Sequence, residues 1–238
     1  MIQTETKVMG SILALTLVVI IGGVVLFNKN NPKTSSAPGD YSQYIEKSLI
    51  LDSNKVARDY NPRIVGPKSL TQATTTSKIT VTEFLDYECP ACATNGEPIV
   101  RNLLAHYGDN ITIIRKIFPV HGQPSIDVGR LVLASQIFGL ETYEKIHTKM
   151  FETQKQWAIL GKDDRDAFIK KLIIELGVDY DKLLTEANTD KYLSQIQQDK
   201  QDATDLGIKA TPSFVVNGTI RITGGLPINE FYKVIDSK

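Results

Sequence analysis

The sequence predicts an α/β fold with an inserted helical subdomain, preceded by a single N-terminal transmembrane helix. Three observations predict it. Residues 9–27, MGSILALTLVVIIGGVVLF, form an uncharged apolar run. β-branched, alternating runs lie on both sides of residues 124–206, which instead carry helical periodicity. An Asn217-Gly218 pair between two β-rich runs gives a strong hairpin signal near the C-terminus.

The elements follow in order. Residues 1–8 are a short tail, and 9–27 are close to the roughly 20 residues that cross a ~30 Å hydrocarbon core. The run exceeds the usual core of a cleaved signal peptide, so a retained anchor is expected. Glu5 and Lys7 before it, and Lys29 and Lys33 after it, lean weakly against export of the C-terminal part. Residues 28–40 (NKNNPKTSSAPGD) read as a flexible linker. A globular domain then occupies 41–238. Residues 41–51 predict a short helix, and 63–65 a strand ended by Gly66-Pro67. Residues 78–86 (KITVTEFLD) alternate as a strand. A helix is expected from the cysteines to Tyr107, then a strand over 111–118.

Helices follow over 125–138, 141–153, 163–176 and 189–206. In the third, Ile169, Leu172, Ile173 and Leu176 share a face, and Asp163-Asp164 can cap it. Strands over 213–216 and 219–223 form the hairpin. A last helix covers 227–235 with proline at its start.

Bulk properties narrow the function. With 27 basic and 27 acidic residues the net charge is zero, which argues against a general nucleic-acid binder. The two cysteines stand together as Cys89-Pro90-Ala91-Cys92. A stapled scaffold would distribute its cysteines, so the pairing points to thiol chemistry. At a helix start, unpaired N–H groups and the helix dipole favour a thiolate. Cys89 is therefore the expected nucleophile, and Cys92, one turn in, the resolving thiol. Half of a zinc site would need His106, His121 and His147 without any ligand spacing. A Cu(I) carrier is a further alternative, as a non-enzymatic reading. No metal or other cofactor is expected.

Period two puts Glu83 on one strand face with Ile79, Val81 and Leu85. A carboxylate among apolar neighbours should be desolvated and raised in pKa. That makes Glu83, six residues before Cys89, a candidate proton acceptor for Cys92; a structural glutamate paired with a lysine or reaching a strand edge is the alternative. Glu88 is expected to be exposed and to oppose the thiolate slightly. His121, in FPVHG after a strand, reads as a loop histidine, with approach to the active site as the alternative, and Trp157 as core or groove wall.

The run EFLDYECPAC, with Pro98 in the following helix, resembles the active-site segment of DsbA-like proteins of the thioredoxin superfamily. The run GIKATPSFVVNGTIRITGG resembles that family's second motif. The resemblance covers roughly residues 63–238. It implies a thioredoxin-like fold, a cis Thr211–Pro212 bond facing the dithiol, and substrate binding along Pro90, Ala91, Thr211 and Pro212. It also places Glu83 at the family's buried acidic position. It implies a redox disulfide between Cys89 and Cys92, exchanged with unfolded or cysteine-containing exported proteins and recharged by a membrane redox partner. Two residues depart from the best-known members. Ala91 stands where they have histidine, which predicts a less oxidising disulfide, and Thr211 stands where some oxidases have valine. An extracytoplasmic, membrane-anchored disulfide oxidase is the expectation; a reductase or isomerase is the alternative.

Overall fold

The computed structural model describes residues 41, 44–46, 63–65 and 78–237. The expected tail, membrane helix and linker lie outside these residues. Among the described residues no helix is long and apolar enough to cross a membrane.

Among the described residues, six strands form one mixed sheet: β1 (Ile45–Glu46), β2 (Arg63–Val65), β3 (Ile79–Leu85), β4 (Ile111–Ile117), β5 (Ser213–Val216) and β6 (Ile220–Thr223). Their spatial order is β1-β6-β5-β3-β4-β2. β3 runs parallel to β4 and antiparallel to β5, so it is central and buried on both faces. The parallel β3–β4 pair needs a crossover. Residues 90–107 supply it, as a helix with wider π-type turns over Cys92–Gly96 and regular turns over α1 (Glu97–Tyr107).

Between β4 and β5 lies the helical insertion. It contains α2 (Gln123–Ala134), α3 (Leu140–Glu152), α4 (Gln154–Trp157), α5 (Lys162–Glu175), α6 (Tyr180–Ala187) and α7 (Asp190–Asp205). A terminal α8 (Ile228–Asp236) follows the hairpin and starts directly after Pro227. Asn217 and Gly218 both take positive φ, 49° and 67°, as a two-residue hairpin turn requires. The Asn217 side chain also accepts a hydrogen bond from the Thr80 N–H at 2.8 Å, tying the turn to β3.

Three expectations are corrected. The expected helix at 41–51 contains, in its described part, the edge strand β1, whose Ile45 pairs with Ile222 of β6. Strand pairing outweighs local helical spacing there. Asp163 and Asp164 stand in the first turn of α5, and Gly161 is its cap. The helices α4 and α6 were not anticipated. α6 carries a legible start, since the Asp179 side chain accepts from the Lys182 N–H at 3.0 Å.

Apolar burial occurs on both sides of the sheet. On the face of Val81 and Leu85, one cluster gathers Val81, Ile111, Ile113, Phe214, Ile222 and Phe231, and a second joins Leu85, Tyr87, Cys92 and Ile117 to the insertion's Val132, Ile146, Met150 and Trp157. On the opposite face, Phe84 and Val215 pack with Phe118, Ala203, Leu206 and Ile208. Trp157 is core: it is fully buried and donates from Nε1 to the Met150 carbonyl at 2.9 Å.

A charged clamp docks the insertion on the sheet. Lys116 of β4 is fully buried, with Nζ 2.6 Å from Asp202 and 3.3 Å from Asp199 of α7. Asp199 also accepts from the Ile117 N–H at 2.9 Å. Burial pushes the Asp199 carboxyl up to about 7, against the pull of Lys116. Removing the lysine leaves two carboxylates without this buried counter-charge. Lys116→Met should therefore lower unfolding free energy by about 3–5 kcal/mol in urea titrations. A loss below about 1 kcal/mol would show that the clamp does not hold the insertion.

Candidate active site

The site is built where β3 ends. Asp86 begins a tight turn in which the Cys89 N–H bonds the Asp86 carbonyl at 3.1 Å. The helix then starts at Pro90, where the missing N–H costs nothing. Cys92 N–H bonds the Cys89 carbonyl at 3.1 Å. Both cysteines are free thiols, so this is the dithiol form. Pro90 is exposed, Ala91 half-buried, Cys89 retains a sliver of exposure, and Cys92 has none.

The two sulfurs differ sharply. Cys89 is lowered to about 5. Hydrogen bonding from the Cys92 thiol contributes most. Partial burial opposes it, and the Thr211 side chain and the N–H groups of Cys92 and Ala91 add to the lowering. The largest contribution is thus the partner thiol rather than the helix start. Burial, then the hydrogen bond and charge of Cys89, push the Cys92 thiol far up. Negative charge on the pair belongs on Cys89.

The Thr211–Pro212 bond is cis, the geometry the resemblance implies. It brings the Thr211 carbonyl within 3.3 Å of the Cys89 Sγ, which donates to it as a thiol. The Thr211 hydroxyl is buried and has no hydrogen-bond partner in this form. Ionisation of Cys89 would supply an acceptor for it.

Glu83 lies below the helix start and is 1% exposed. Gly96 permits the close approach. A Cβ there would stand 2.8 Å from Glu83 Oε1 and 3.3 Å from the Pro212 Cβ. Burial raises Glu83 to about 8, against the pull of Arg115, with Glu97 and Glu144 pushing it further up. Arg115 stands opposite Glu83 on β4, but its Nε is 3.7 Å from Oε2, and neither atom makes a hydrogen bond. The guanidinium is committed instead to Glu144, at 2.9 and 3.1 Å.

Beside Arg115 runs a buried polar chain that spans the sheet and the insertion. The Tyr87 hydroxyl lies 2.7 Å from His147 Nδ1, and His147 Nε2 bonds the Glu97 carboxylate. Burial opposes ionisation of Glu97, yet His147 and Arg115 hold it down to about 2. Gln154 of α4 donates to the carbonyls of Tyr87 and Cys89 at 2.7 and 2.9 Å, so the insertion grips the cysteine turn directly. No local sequence signal marked Glu97, His147 or Gln154, because their partners are 50 or more residues away.

Asp86 was also missed as a structural centre. It is fully buried. Its Oδ1 accepts from the Glu88 N–H at 2.9 Å, and its Oδ2 from the N–H groups of Val120 and His121 at 2.8 and 3.1 Å. His121 Nδ1 lies 2.8 Å from the same oxygen. Glu88, expected to be exposed, is half-buried, with Arg165 of α5 at 3.8 Å. The three histidines have separate surroundings: His106 stacks on Tyr232, His121 meets Asp86, and His147 meets Glu97.

Known proteins share this fold. Among solved structures, a thioredoxin-like oxidoreductase from Silicibacter pomeroyi DSS-3 is 24% identical, with a TM-score of 0.63 over 77% of this chain and 95% of that one. The thiol-disulfide exchange protein alpha-DsbA2 from Wolbachia pipientis is 20% identical, with a TM-score of 0.63 over 82% and 92%. The catalytic domain of Proteus mirabilis ScsC is 20% identical, with a TM-score of 0.61 over 77% and 92%. At these identities the likeness is one of fold. A curated relative, Na(+)/H(+) antiporter NhaA 1 of Mycobacterium sp. (strain KMS), is 27% identical over 144 residues, 59% of this chain. The match spans only 22% of that antiporter's length. The family profile described as Thioredoxin matches residues 67–237, which include the cysteine pair, the cis-proline loop and the helical insertion, and the chain belongs to that family.

Proposed function

We propose that the protein is a thiol–disulfide oxidoreductase that donates the Cys89–Cys92 disulfide to cysteine-containing exported proteins. The observation that carries this reading is the asymmetry of the pair: Cys89 is lowered to about 5 and Cys92 is pushed far up. A disulfide whose reduced form holds a stable thiolate is a strong electron acceptor. The names of the fold neighbours, a thiol-disulfide exchange protein among them, support the same chemistry.

The reaction proceeds in two displacements. A substrate thiolate attacks the Cys89 sulfur; the Cys89–Cys92 bond breaks, and Cys92 leaves with the electron pair. Glu83, raised to about 8 and so protonated near neutrality, is the proton source for Cys92. A second substrate thiolate then attacks the substrate sulfur of the mixed disulfide, and Cys89 leaves as a stable thiolate. The substrate is oxidised by two electrons, and the enzyme pair is reduced by two. Pro90, Ala91, Thr211 and Pro212 flank the sulfur, and the Thr211 backbone can receive the substrate peptide in strand fashion.

Disulfide donation belongs outside the reducing cytosol. The apolar run 9–27 serves in this reading as a retained membrane anchor, with residues 28–40 as tether and the catalytic domain extracytoplasmic. A membrane redox partner reoxidises the pair. A reductase or isomerase would use the same residues in the opposite direction.

Two experiments test this reading. Cys92→Ser in the full chain should accumulate mixed disulfides with exported proteins in the membrane fraction, and Cys89→Ser should trap none. Cytosolic partners alone, or trapping by the Cys89 variant instead, would overturn the placement or the roles. In the reverse step Cys92 attacks the mixed disulfide and must lose its proton. Ionised Glu83 accepts it, so the release rate should rise as pH passes about 8. Glu83→Gln should slow release at least about tenfold and flatten that rise, with the first attack, by the Cys89 thiolate on a substrate disulfide, nearly unchanged in stopped-flow traces. Equal slowing of both steps would return Glu83 to a structural role.

A further inference from the structure

Pro90 and Ala91, between the cysteines, offer no side-chain cation to the Cys89 thiolate. The turn that carries Cys89 is built on a fully buried carboxylate, Asp86, with Glu88 next along it. Both acidic groups disfavour a neighbouring thiolate by like charge. Glu88 has the Arg165 guanidinium 3.8 Å away. Asp86 has His121.

The His121 ring is well placed for this. Its backbone N–H and its Nδ1 both meet Asp86 Oδ2, at 3.1 and 2.8 Å, so the loop after β4 and the cysteine turn share one carboxylate oxygen. The Val120 N–H joins them at 2.8 Å. The side chain is nevertheless 42% exposed, so it can exchange a proton with water. The largest charges on the ring are those of Asp86, Cys89 and Glu88, all anionic when ionised, and Arg165 of α5 stands 3.8 Å from Glu88. The hydrogen bond to Asp86 raises the His121 pKa first; partial burial opposes it, and the charges of Asp86, Cys89 and Glu88 add to the rise.

We propose that His121, held on the Asp86 that begins the Cys89 turn, is a cation that favours the Cys89 thiolate and steepens the pH dependence of the redox poise of the Cys89–Cys92 pair. It touches no reacting atom; it acts by charge. The protonated ring neutralises Asp86 and stabilises the thiolate, so it favours the reduced pair. As pH rises through the His121 titration the cation is lost, Asp86 is left without it, and the pair becomes less oxidising. This deepens the proposed disulfide exchange and rests on that reading for its purpose, though not for its test.

The test uses the full chain in detergent, in the dithiol form and without substrate. Thiolate absorbance near 240 nm follows Cys89, and NMR of the ring proton follows His121. Linkage between two sites is reciprocal. His121→Gln, whose amide can still donate to Asp86, should raise the Cys89 midpoint by about half a unit to one unit. Cys89→Ser should lower the His121 midpoint by a similar amount. His121→Lys, a cation at every relevant pH, should keep the Cys89 midpoint low, which a merely structural role would not predict. Unchanged midpoints in both His121→Gln and Cys89→Ser would overturn the inference, as would equal Cys89 midpoints in the Gln and Lys variants. Because no substrate is present, a failure here is separate from failure of the exchange reaction, which the trapping experiment reads.

Discussion

Complete burial of the Cys92 sulfur is the constraint on which the rest of the site depends. Cys92 sits at the first wide turn of the helix, on the apolar core shared by β3, β4 and the insertion. A charge there would lose its hydration with little in return. Ionisation is therefore forced outward, onto Cys89. There the Cys92 thiol, the Thr211 side chain and two backbone N–H groups can each donate to it. The same burial requires that any proton leaving or reaching Cys92 pass through a neighbour. Glu83, raised to about 8 beneath Gly96, is suited to that exchange at near-neutral pH.

That arrangement is held by polar contacts reaching across the fold. Arg115 stands opposite Glu83 on β4, but Glu144 and Glu97 draw its charge away. Glu83 thus keeps a cation nearby without the close bond that would lock it ionised. Glu97 is fixed by His147 of α3, which is in turn fixed by Tyr87 beside the cysteines. Gln154 binds the backbone of the cysteine turn, and Lys116 anchors α7 to β4. The insertion is therefore part of the active-site scaffold. Buried ionic groups of this kind contribute less to stability than to fixing one arrangement.

The site was legible where its chemistry is local. Two cysteines at a strand-to-helix turn, a carboxylate on an apolar strand face, and a Thr-Pro pair before an Asn-Gly hairpin each carry their reason in adjacent residues. The longer strands and the helical block could be read from periodicity for the same cause. What stayed hidden depends on partners far along the chain. Asp86 looked like one acidic residue among several until His121, 35 residues on, met it. Glu88 looked exposed until Arg165 covered it. Gln154 sits in a polar run with no apolar spacing around it. The segment holding β1 has helix-compatible spacing, and only its pairing with β6 makes it a strand.

The most direct measurement is the reduction potential of the Cys89–Cys92 pair, from its equilibrium with glutathione at pH 7. A thiolate held near 5 on one sulfur, with the other kept protonated, stabilises the reduced form. The account predicts a potential more positive than about −200 mV, on the side of disulfide donors. A value at or below about −270 mV would contradict it and make the protein a reductase.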